Sequence, residues 1–519
     1  MRHRFALLLL AATIASGPAC FRFANRAISE VPTERPQVVE SPLRAFLANG
    51  SVAVFEDGAL ITSSDISGDG VVYDLMRNPT TTGALALALD SVIGVEAFDH
   101  DTNVPLTILA AVGSAVVITA GAVAIACAVD PKCFGSCPTV YTYDAQGEVL
   151  EAEAFSYSVS PLLEGRDVDA LSSTAADSAG VVSLEIRNEA LETHFINHLE
   201  LLEVRHGEGD VVLTDASHAP IVVAPTRPFA WARDRAGRDV ADALGERDGV
   251  AFSSSEARVT EVVAGDDRDW IDAEIPAIDA DTAAVVLRLR NSLLNTILFY
   301  EFMLGRQGAG ALDWMARDLD RIGGAVELGS WFHQTMGLRL SVETDEGFRE
   351  VARLGDTGPI AWKDVAFRVP VRRGAPTRIR LSFLTDEWRI DRLAWSPRIV
   401  DAEVVTHAAS RIEPLGTATE ADLIERVRAA DDDYLVTTAG TGFTARFQVG
   451  PAPPGAARTF LLSSQGYYSE WVRPRWIREG DPDWRFEPGP DVIPSLMERW
   501  AEVKGPMEAA FHGTRIPVR

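Results

Sequence analysis

The chain has 519 residues and a formal net charge of −27 at pH 7, with 75 acidic and 48 basic side chains. A surface this acidic repels phosphate backbones, so nucleic-acid binding is disfavoured. The length allows about three or four domains with sizeable cores. Four cysteines are too few for a disulfide-dense scaffold. The motifs of zinc proteases, serine hydrolases and P-loop proteins are absent, so we predict no catalytic residue and no cofactor, and an enzyme is not the favoured class.

The N-terminus has the pattern of an export signal. Two arginines precede a short apolar stretch at residues 5–14, and small residues lead to Cys20. Ala19 followed by Cys20 resembles the bacterial lipoprotein signal, in which the cysteine is lipidated, although Gly17 stands where a leucine is usual. We therefore predict a signal peptide over 1–20 with lipidation at Cys20. Simple cleavage and an uncleaved anchor are the alternatives.

A tether and a small β unit follow. Residues 21–44 contain several prolines and no hydrophobic period, which predicts a tether. Residues 45–103 show short alternating segments separated by turn residues, which predict a small open barrel or rolled sheet. Within it, the segment Asp65–Gly70 lacks the spacing of an EF-hand loop, and we interpret it as a hairpin turn.

An uninterrupted apolar segment comes next. Residues 106–129 contain no charged side chain, and as a helix they would extend roughly 36 Å, more than the hydrocarbon core of a bilayer. We predict one long apolar helix over 104–129 and favour a transmembrane span, with burial against protein as the alternative. A span combined with an outer anchor at Cys20 would place 130–519 inside the cell, whereas we favour an extracytoplasmic location for this part.

Two cysteines lie close together after this segment. Gly135 and Pro138 indicate a turn around Cys133 and Cys137, and in an oxidising compartment we predict a disulfide between these two thiols. A disulfide with Cys127, free thiols and a redox pair are the alternatives. A zinc site would need further ligands, and none follows nearby.

The remainder of the chain predicts a mainly β fold. Strand patterns indicate tandem antiparallel β-sandwich-like domains at 130–265 and 266–400, followed by an α+β region at 401–519. An internal repeat supports the tandem arrangement, because Leu184–Thr193 and Leu287–Thr296 share Leu, Arg, Asn, Leu and Thr at matching positions. Helices are predicted at 311–322, 420–430 and 493–511.

Two sets of side chains are candidates for ligand chemistry. The first is acidic and histidine-rich, and we favour solvated strand ends over a cation site as its explanation. It comprises Glu189, Glu192, His194 and His198, with Asp144 and Glu153 as further members. Period two along a strand predicts that the two histidines share one side. The second set is Trp388 and Trp395, for which we favour a place in the sandwich core, with a sugar-stacking platform as the alternative.

Several short motifs occur in a specific order along the chain. They are Ser136-Cys137-Pro138 with Tyr141, Arg187-Asn188-Glu189, Trp388 to Asp391, and Ser464 to Tyr468. Together with the export signal, the small β unit and the apolar segment, this order resembles a family of uncharacterised bacterial envelope proteins. The resemblance implies an envelope location and a β-rich architecture, and it implies no catalytic residues.

The leading hypothesis is therefore a non-catalytic interaction protein anchored in the bacterial cell envelope, with the membrane and an envelope protein or glycan as partners. The alternative is a glycan-binding or glycan-processing protein. The exposure of Trp388 and Trp395 discriminates between the two. Exposure of both indoles over a cleft would favour the glycan hypothesis, and burial between sheets would count against it.

Overall fold

Four β-sheets make up most of the computed structural model. The structure describes residues 35–99, 111–112, 137–262, 266–415, 423–451, 455, 457–511 and 515–518. From Gln37 onward, the described residues form one compact unit. The prediction of a mainly β fold with several antiparallel sheets is confirmed.

The strands are numbered in chain order. The first thirteen are β1 Gln37–Val39, β2 Leu43–Leu47, β3 Val52–Phe55, β4 Ala59–Ile61, β5 Asp65–Tyr73, β6 Pro79–Ala88, β7 Val92–Ala97, β8 Ala111–Val112, β9 Thr139–Asp144, β10 Gly147–Glu153, β11 Gly165–Leu171, β12 Val181–Arg187 and β13 Glu192–His206. The others are β14 Val211–Thr214, β15 Pro220–Val223, β16 Arg227–Pro228, β17 Ala232–Asp234, β18 Arg268–Ile275, β19 Thr282–Asn291, β20 Leu338–Thr344, β21 Gly347–Leu354, β22 Lys363–Pro370, β23 Thr377–Leu384, β24 Trp388–Ser396, β25 Ile399–Val400, β26 Glu403–Pro414, β27 Leu435–Thr438, β28 Gly442–Gln448 and β29 Ala457–Glu470.

The first sheet is the small N-terminal β unit. It has seven strands in the order β1-β4-β5-β3-β2-β7, and β6 pairs with β5. Residues 37–44, at the end of the predicted tether, already belong to this sheet. The segment Asp65–Gly70 is part of β5 and not a hairpin turn. Its glycines allow neighbouring backbone to approach, since a Cβ at Gly70 would lie 2.4 Å from the carbonyl oxygen of Val54.

The second sheet has ten strands, and β13 is its longest strand, with 15 residues. Along one edge β13 pairs with β29, and along the other edge it pairs with β26 and β27. Strands from the region 401–519 therefore complete the sheet that begins in the region 130–265. Conversely, β14 and β15 join the third sheet through β22 and β25. The sheets thus cross the predicted domain boundaries, because a local strand pattern does not specify its partner strand.

The third and fourth sheets pack face to face. The third has seven strands in the order β16-β24-β19-β22-β14-β15-β25, and the fourth has five in the order β17-β18-β23-β20-β21. Their inward side chains form one hydrophobic core that includes Ile271, Leu287, Leu340 and Phe383. Alternation of apolar and polar residues explains the inward face of β18, which buries every second side chain, whereas the central strands β19 and β24 bury runs of consecutive residues.

The helices lie mainly in the second half of the chain. They are α1 Glu256–Thr260, α2 Leu293–Ile297, α3 Gly310–Asp313, α4 Ile322–Thr335, α5 Pro474–Glu479 and α6 Val492–Phe511, with π-helices at Leu298–Leu304 and Trp314–Asp318 and 3₁₀ turns at Leu89–Ser91, Pro161–Leu163, Gly305–Gln307 and Glu425–Val427. The prediction of a helix at 493–511 is confirmed. The prediction of one regular helix at 311–322 is wrong, because α3 passes into a π-helix and α4 begins only at Ile322.

The predicted apolar helix at 104–129 lies outside the described residues, apart from Ala111 and Val112. Those two residues have extended backbone and form β8, which pairs in parallel with β27. Sheet pairing satisfies the backbone groups of these two residues, so the structure does not support one long helix over the whole segment. None of the helices in the described part of the chain combines the length and the hydropathy that a membrane span requires.

Candidate functional site

A cavity of about 360 Å³ lies where α2, α4 and three loops meet. This volume is in the range of small-molecule sites. Most of its lining is apolar or aromatic, with a few polar groups among them. The lining includes Ser156, Tyr157, Leu163, His218, Asn295, Phe299, Tyr300, Gly329, Phe332, His333, Asp356 and Tyr468.

One wall is a single face of the helical segment that begins with α2. Ser292 caps this segment, since its side chain accepts a hydrogen bond from the backbone N–H of Leu294 at 3.1 Å. The residues at the cavity are Thr296, Phe299, Tyr300 and Met303, three or four positions apart. This spacing places them on one side of a helix. The π-helix at Leu298–Leu304 is a rare geometry that is frequent at functional sites.

The facing wall comes from α4. Leu328, Gly329, Phe332 and His333 line the cavity, again with helical spacing. A Cβ at Gly329 would meet only Leu163, at an ordinary contact distance of 3.5 Å. The absence of a side chain at this position therefore leaves open space beside the cavity.

Asp356 is the acidic residue of the lining. Its Oδ1 accepts a hydrogen bond from Asn295 Nδ2 at 2.5 Å. Burial raises the pKa of Asp356 to about 6, although the neighbouring Ser156 side chain and Gly358 backbone oppose the increase. No Arg, Lys or His in the described part of the chain forms an ion pair with Asp356. The nearby Lys363 is already bound to other carboxylates.

A buried charge cluster lies behind the cavity. Lys363 Nζ lies 2.5 Å from Asp167 Oδ1 and 2.9 Å from Asp169 Oδ1. His218 Nδ1 lies 2.8 Å from the same oxygen of Asp167. Burial opposes ionisation of Asp167, but Lys363 and His218 outweigh it and hold the pKa of Asp167 below its usual range. The pKa of Asp169 is raised by burial and by the charge of Asp167. The lysine thus compensates two carboxylates that would otherwise be isolated from water.

His218 connects this cluster to the cavity. It lies in the tight turn between β14 and β15, with a left-handed backbone at φ +60°. The Asp215 side chain fixes the turn by accepting hydrogen bonds from the backbone N–H groups of Ser217 and Ala219. The imidazole lies 5.7 Å from the ring of Tyr157, measured between centroids. A strained conformation held by its surroundings is typical of functional positions.

The ionisation of Asp356 is open to a direct test. A raised pKa means that the folded state binds this proton more tightly than the unfolded chain does. The stabilisation is therefore complete below the usual pKa of 3.8 and is lost as the pH rises through about 6. Asn at this position cannot ionise. Because the group borders a cavity, we expect the free energy of unfolding of the wild type, relative to Asp356→Asn, to fall by about 1–2 kcal/mol across this range.

Urea unfolding of both proteins at several pH values between 4 and 7 measures this difference. The variant Asp345→Asn is the control, because the Asp345 side chain is 98% exposed in its ion pair. A stability of the wild type relative to Asp356→Asn that does not change with pH, or that increases as the pH rises, would contradict the burial of Asp356.

The acidic and histidine candidates do not form one cation site. His194 and Glu192 are buried, with His194 Nε2 2.6 Å from Glu192 Oε1, and burial lowers the pKa of His194 to about 3. A β-bulge between Ile196 and His198 reverses the side-chain alternation. The prediction that both histidines share one side is therefore wrong, and His198 is 21% exposed beside Glu200.

The other members of this candidate set also have protein partners. Glu189 accepts hydrogen bonds from Thr139 and Tyr141, and Asp144 caps a hairpin turn. Glu153 accepts hydrogen bonds from the backbone of residues 360–361. In the described part of the chain, no group of three or more His, Cys, Asp or Glu residues is placed to hold a metal ion.

Glu192 instead belongs to a buried carboxyl pair. Burial raises the pKa of both Glu192 and Glu470, and the two side chains hydrogen-bond to each other. The hydroxyl of Tyr300 donates to Glu470 Oε2 at 3.0 Å. Since Tyr300 lines the cavity, this pair supports one wall of it. The sequence patterns that suggested solvated strand ends gave no sign of this burial.

Trp388 and Trp395 are core residues, 0% and 3% exposed. Both lie in the core between the third and fourth sheets, and Trp388 Nε1 donates to the carbonyl of Met336 at 3.1 Å. Neither indole presents a face to a sugar, so the proposed stacking platform is wrong. The two positions are seven apart and would lie on opposite faces of a regular strand, but a β-bulge between Ile390 and Arg392 reverses the alternation and brings both indoles to the inner face of β24.

Cys20 and Cys133 lie outside the described residues, so lipidation and the disulfide stay predictions. Cys137 is buried, and its thiol lies 3.4 Å from Glu153 Oε1, to which it donates. Its backbone is left-handed, with φ +55°, in agreement with the predicted turn.

A second, larger groove of about 580 Å³ borders β14, β15, β22 and β25. It is lined mainly by aliphatic strand residues such as Val204, Ile221 and Val400. Its charged members include Asp215, which caps its own turn. The smaller cavity is the better candidate site, because it combines aromatic walls with a partly buried carboxyl group.

No family model matches the chain, and no curated protein matches it. Three solved structures show a weak likeness to this chain. A GH31 alpha-xylosidase from Xanthomonas citri is 8% identical, with a TM-score of 0.15 over 72% of this chain and 37% of that chain. The cycloalternan-forming enzyme from Listeria monocytogenes is 11% identical, with a TM-score of 0.15 over 71% and 29%.

The third is the stem and receptor binding domain of the spike protein P1 from bacteriophage PM2. It is 9% identical, with a TM-score of 0.12 over 58% of this chain and 96% of that chain. The chain spans about a third of the length of the first two structures. TM-scores this low carry no argument about fold or function.

Proposed function

We propose that the chain is a non-catalytic binding protein of the bacterial cell envelope that holds a small amphipathic molecule in the cavity. The observation that carries the proposal is a cavity of about 360 Å³ with aromatic walls and one carboxyl group without an ion-pair partner among the described residues. The predicted signal peptide over 1–20 supports the envelope location.

A binding role explains the polar groups better than catalysis does. The contact between His218 and Asp167 resembles the histidine–carboxylate pair of many hydrolases. However, no hydroxyl or thiol among the described residues hydrogen-bonds to His218, so the pair lacks an activated nucleophile. Lys363 also neutralises the same carboxylate, which favours a structural role for the cluster.

Filling the cavity tests the proposal. Gly329→Leu places a side chain beside the cavity, and Gly323→Leu is the matched control in the same helix, where a Cβ would meet no heavy atom within 4 Å. Both changes replace glycine in a helix and are expected to stabilise α4 by up to about 1 kcal/mol. Calorimetric titrations with octylamine, octanol, octanoate and glucose then report on the cavity.

We expect at least one octyl compound to bind the wild type and Gly323→Leu equally, and to bind Gly329→Leu about tenfold or more weakly, because the new side chain occupies its space. Binding that is unchanged in Gly329→Leu, or no binding of any octyl compound, would contradict the proposal. Binding of glucose alone would favour the glycan hypothesis instead.

A further inference from the structure

We infer that the cavity recognises a cationic amphiphile, with a protonated amine against Asp356 and an apolar chain between the helix walls. This inference rests on the proposed binding function and adds the class of ligand. It follows from three features of the site: the surroundings of the carboxylate, the character of the walls, and the distribution of charge around the cavity.

The first feature is a carboxylate with neutral donors only. Asn295 donates a hydrogen bond to Asp356, Ser156 and the backbone of Gly358 lie close enough to lower its pKa, and none of the three carries a charge. At pH 7 a carboxyl group with a pKa of about 6 is mainly ionised. Its charge is then only partly compensated in a poorly hydrated site, and a bound ammonium group would complete the compensation.

The second feature is the ring of aromatic side chains. The rings are Tyr157, Phe299, Tyr300, Phe332 and Tyr468. The face of an aromatic ring attracts a cation within about 6 Å, and the same rings pack against a hydrocarbon chain. A site built from one carboxylate and several rings therefore suits an amine that carries an apolar chain.

The third feature is that the described lining of the cavity contains no Arg or Lys, and that the nearby Arg353 is in an ion pair with Glu350. The two histidines of the lining are His218 and His333. His218 is in contact with Asp167, and burial together with the charge of Arg353 lowers the pKa of His333, which keeps it neutral. Lys363 is shared between Asp167 and Asp169. A carboxylate ligand would thus meet the negative charge of Asp356 without compensation.

Three ligands with the same octyl group separate the contribution of the ligand's charge from that of its apolar part. Octylamine is protonated at pH 7.5, octanol is neutral and octanoate is negatively charged. In the wild type, we expect octylamine to bind about tenfold or more tightly than octanol, and octanoate to bind most weakly. In Asp356→Asn, we expect octylamine binding to weaken by about tenfold or more, while octanol binding changes by less than about twofold. The surface variant Asp345→Asn should bind all three as the wild type does.

The possible failures can be told apart. If octanol binds as tightly as octylamine, or if octanoate binds most tightly, the amine inference is wrong while the binding function stands. If no octyl compound binds, the proposed function itself is wrong. The ranking in the wild type decides the inference even if Asp356→Asn fails to fold.

Discussion

Replacement of Lys363 by Met is expected to lower the free energy of unfolding by about 3–5 kcal/mol, because it leaves Asp167 and Asp169 buried without their cation. His218 stays beside Asp167 but compensates one carboxylate at most. Urea unfolding measures the change. The matched surface change is Arg373→Met, which breaks exposed ion pairs with Asp279 and Asp281 and should cost less than about 1 kcal/mol.

A loss below about 1 kcal/mol for Lys363→Met would contradict the burial of this cluster. A second variant makes the interpretation specific. Adding Asp167→Asn and Asp169→Asn to Lys363→Met removes the uncompensated charges and should recover part of the lost stability, because the remaining amides are neutral. No recovery would mean that packing, not charge, accounts for the effect.

Trp388→Ala is expected to lower the free energy of unfolding by about 3–5 kcal/mol, because it leaves a cavity between two sheets and removes the hydrogen bond to Met336. The control is Trp362→Ala. That indole is only half-buried, 4.9 Å from the guanidinium of Arg290, and its removal should cost about 1 kcal/mol. Urea unfolding again gives both values.

The same pair distinguishes a core residue from a ligand contact. Because Trp388 does not line the cavity, the folded Trp388→Ala protein should bind the octyl compounds with unchanged affinity under conditions where it is stable. A normal unfolding free energy together with lost binding would show that Trp388 contacts the ligand and would overturn its placement in the core.

Local strand positions could be predicted from the sequence, because alternation of apolar and polar residues is a local property. The strand patterns at 285–290, 338–342, 364–371, 377–384 and 388–395 correspond to β19, β20, β22, β23 and β24. Strand partners could not be predicted. The pairing of β13 with β26, β27 and β29 joins residues that lie 198 to 278 positions apart in the chain.

The internal repeat does not predict which element follows it in the chain. Asn188 and Asn291 end corresponding strands, and both are buried. After Asn188 the chain turns into β13, with the side-chain amide bonded to the carbonyl of Glu192. After Asn291 it enters α2, with the amide bonded to Glu387. The same motif therefore precedes a strand in one case and a helix in the other, because the segments that follow it differ.

The cavity was not predicted because its parts are distant in sequence. Its walls come from loops near residues 156–163, 216–218 and 354–359 and from two helices. The sequence does contain a pattern that predicts α2. Residues 293–304 are almost continuously apolar without glycine or proline, and a segment of that length favours a helix over a strand. The lone aspartate at 356 carried no local motif.

A crystal structure of the full chain with octylamine tests the central claim most directly. The account predicts the ligand in the cavity, with its nitrogen within about 3.2 Å of an Asp356 carboxylate oxygen and its chain between Phe299 of the α2 segment and Phe332 of α4. Octylamine bound only in the larger groove beside β14 and β15, or a cavity that stays empty at saturating octylamine, would contradict it.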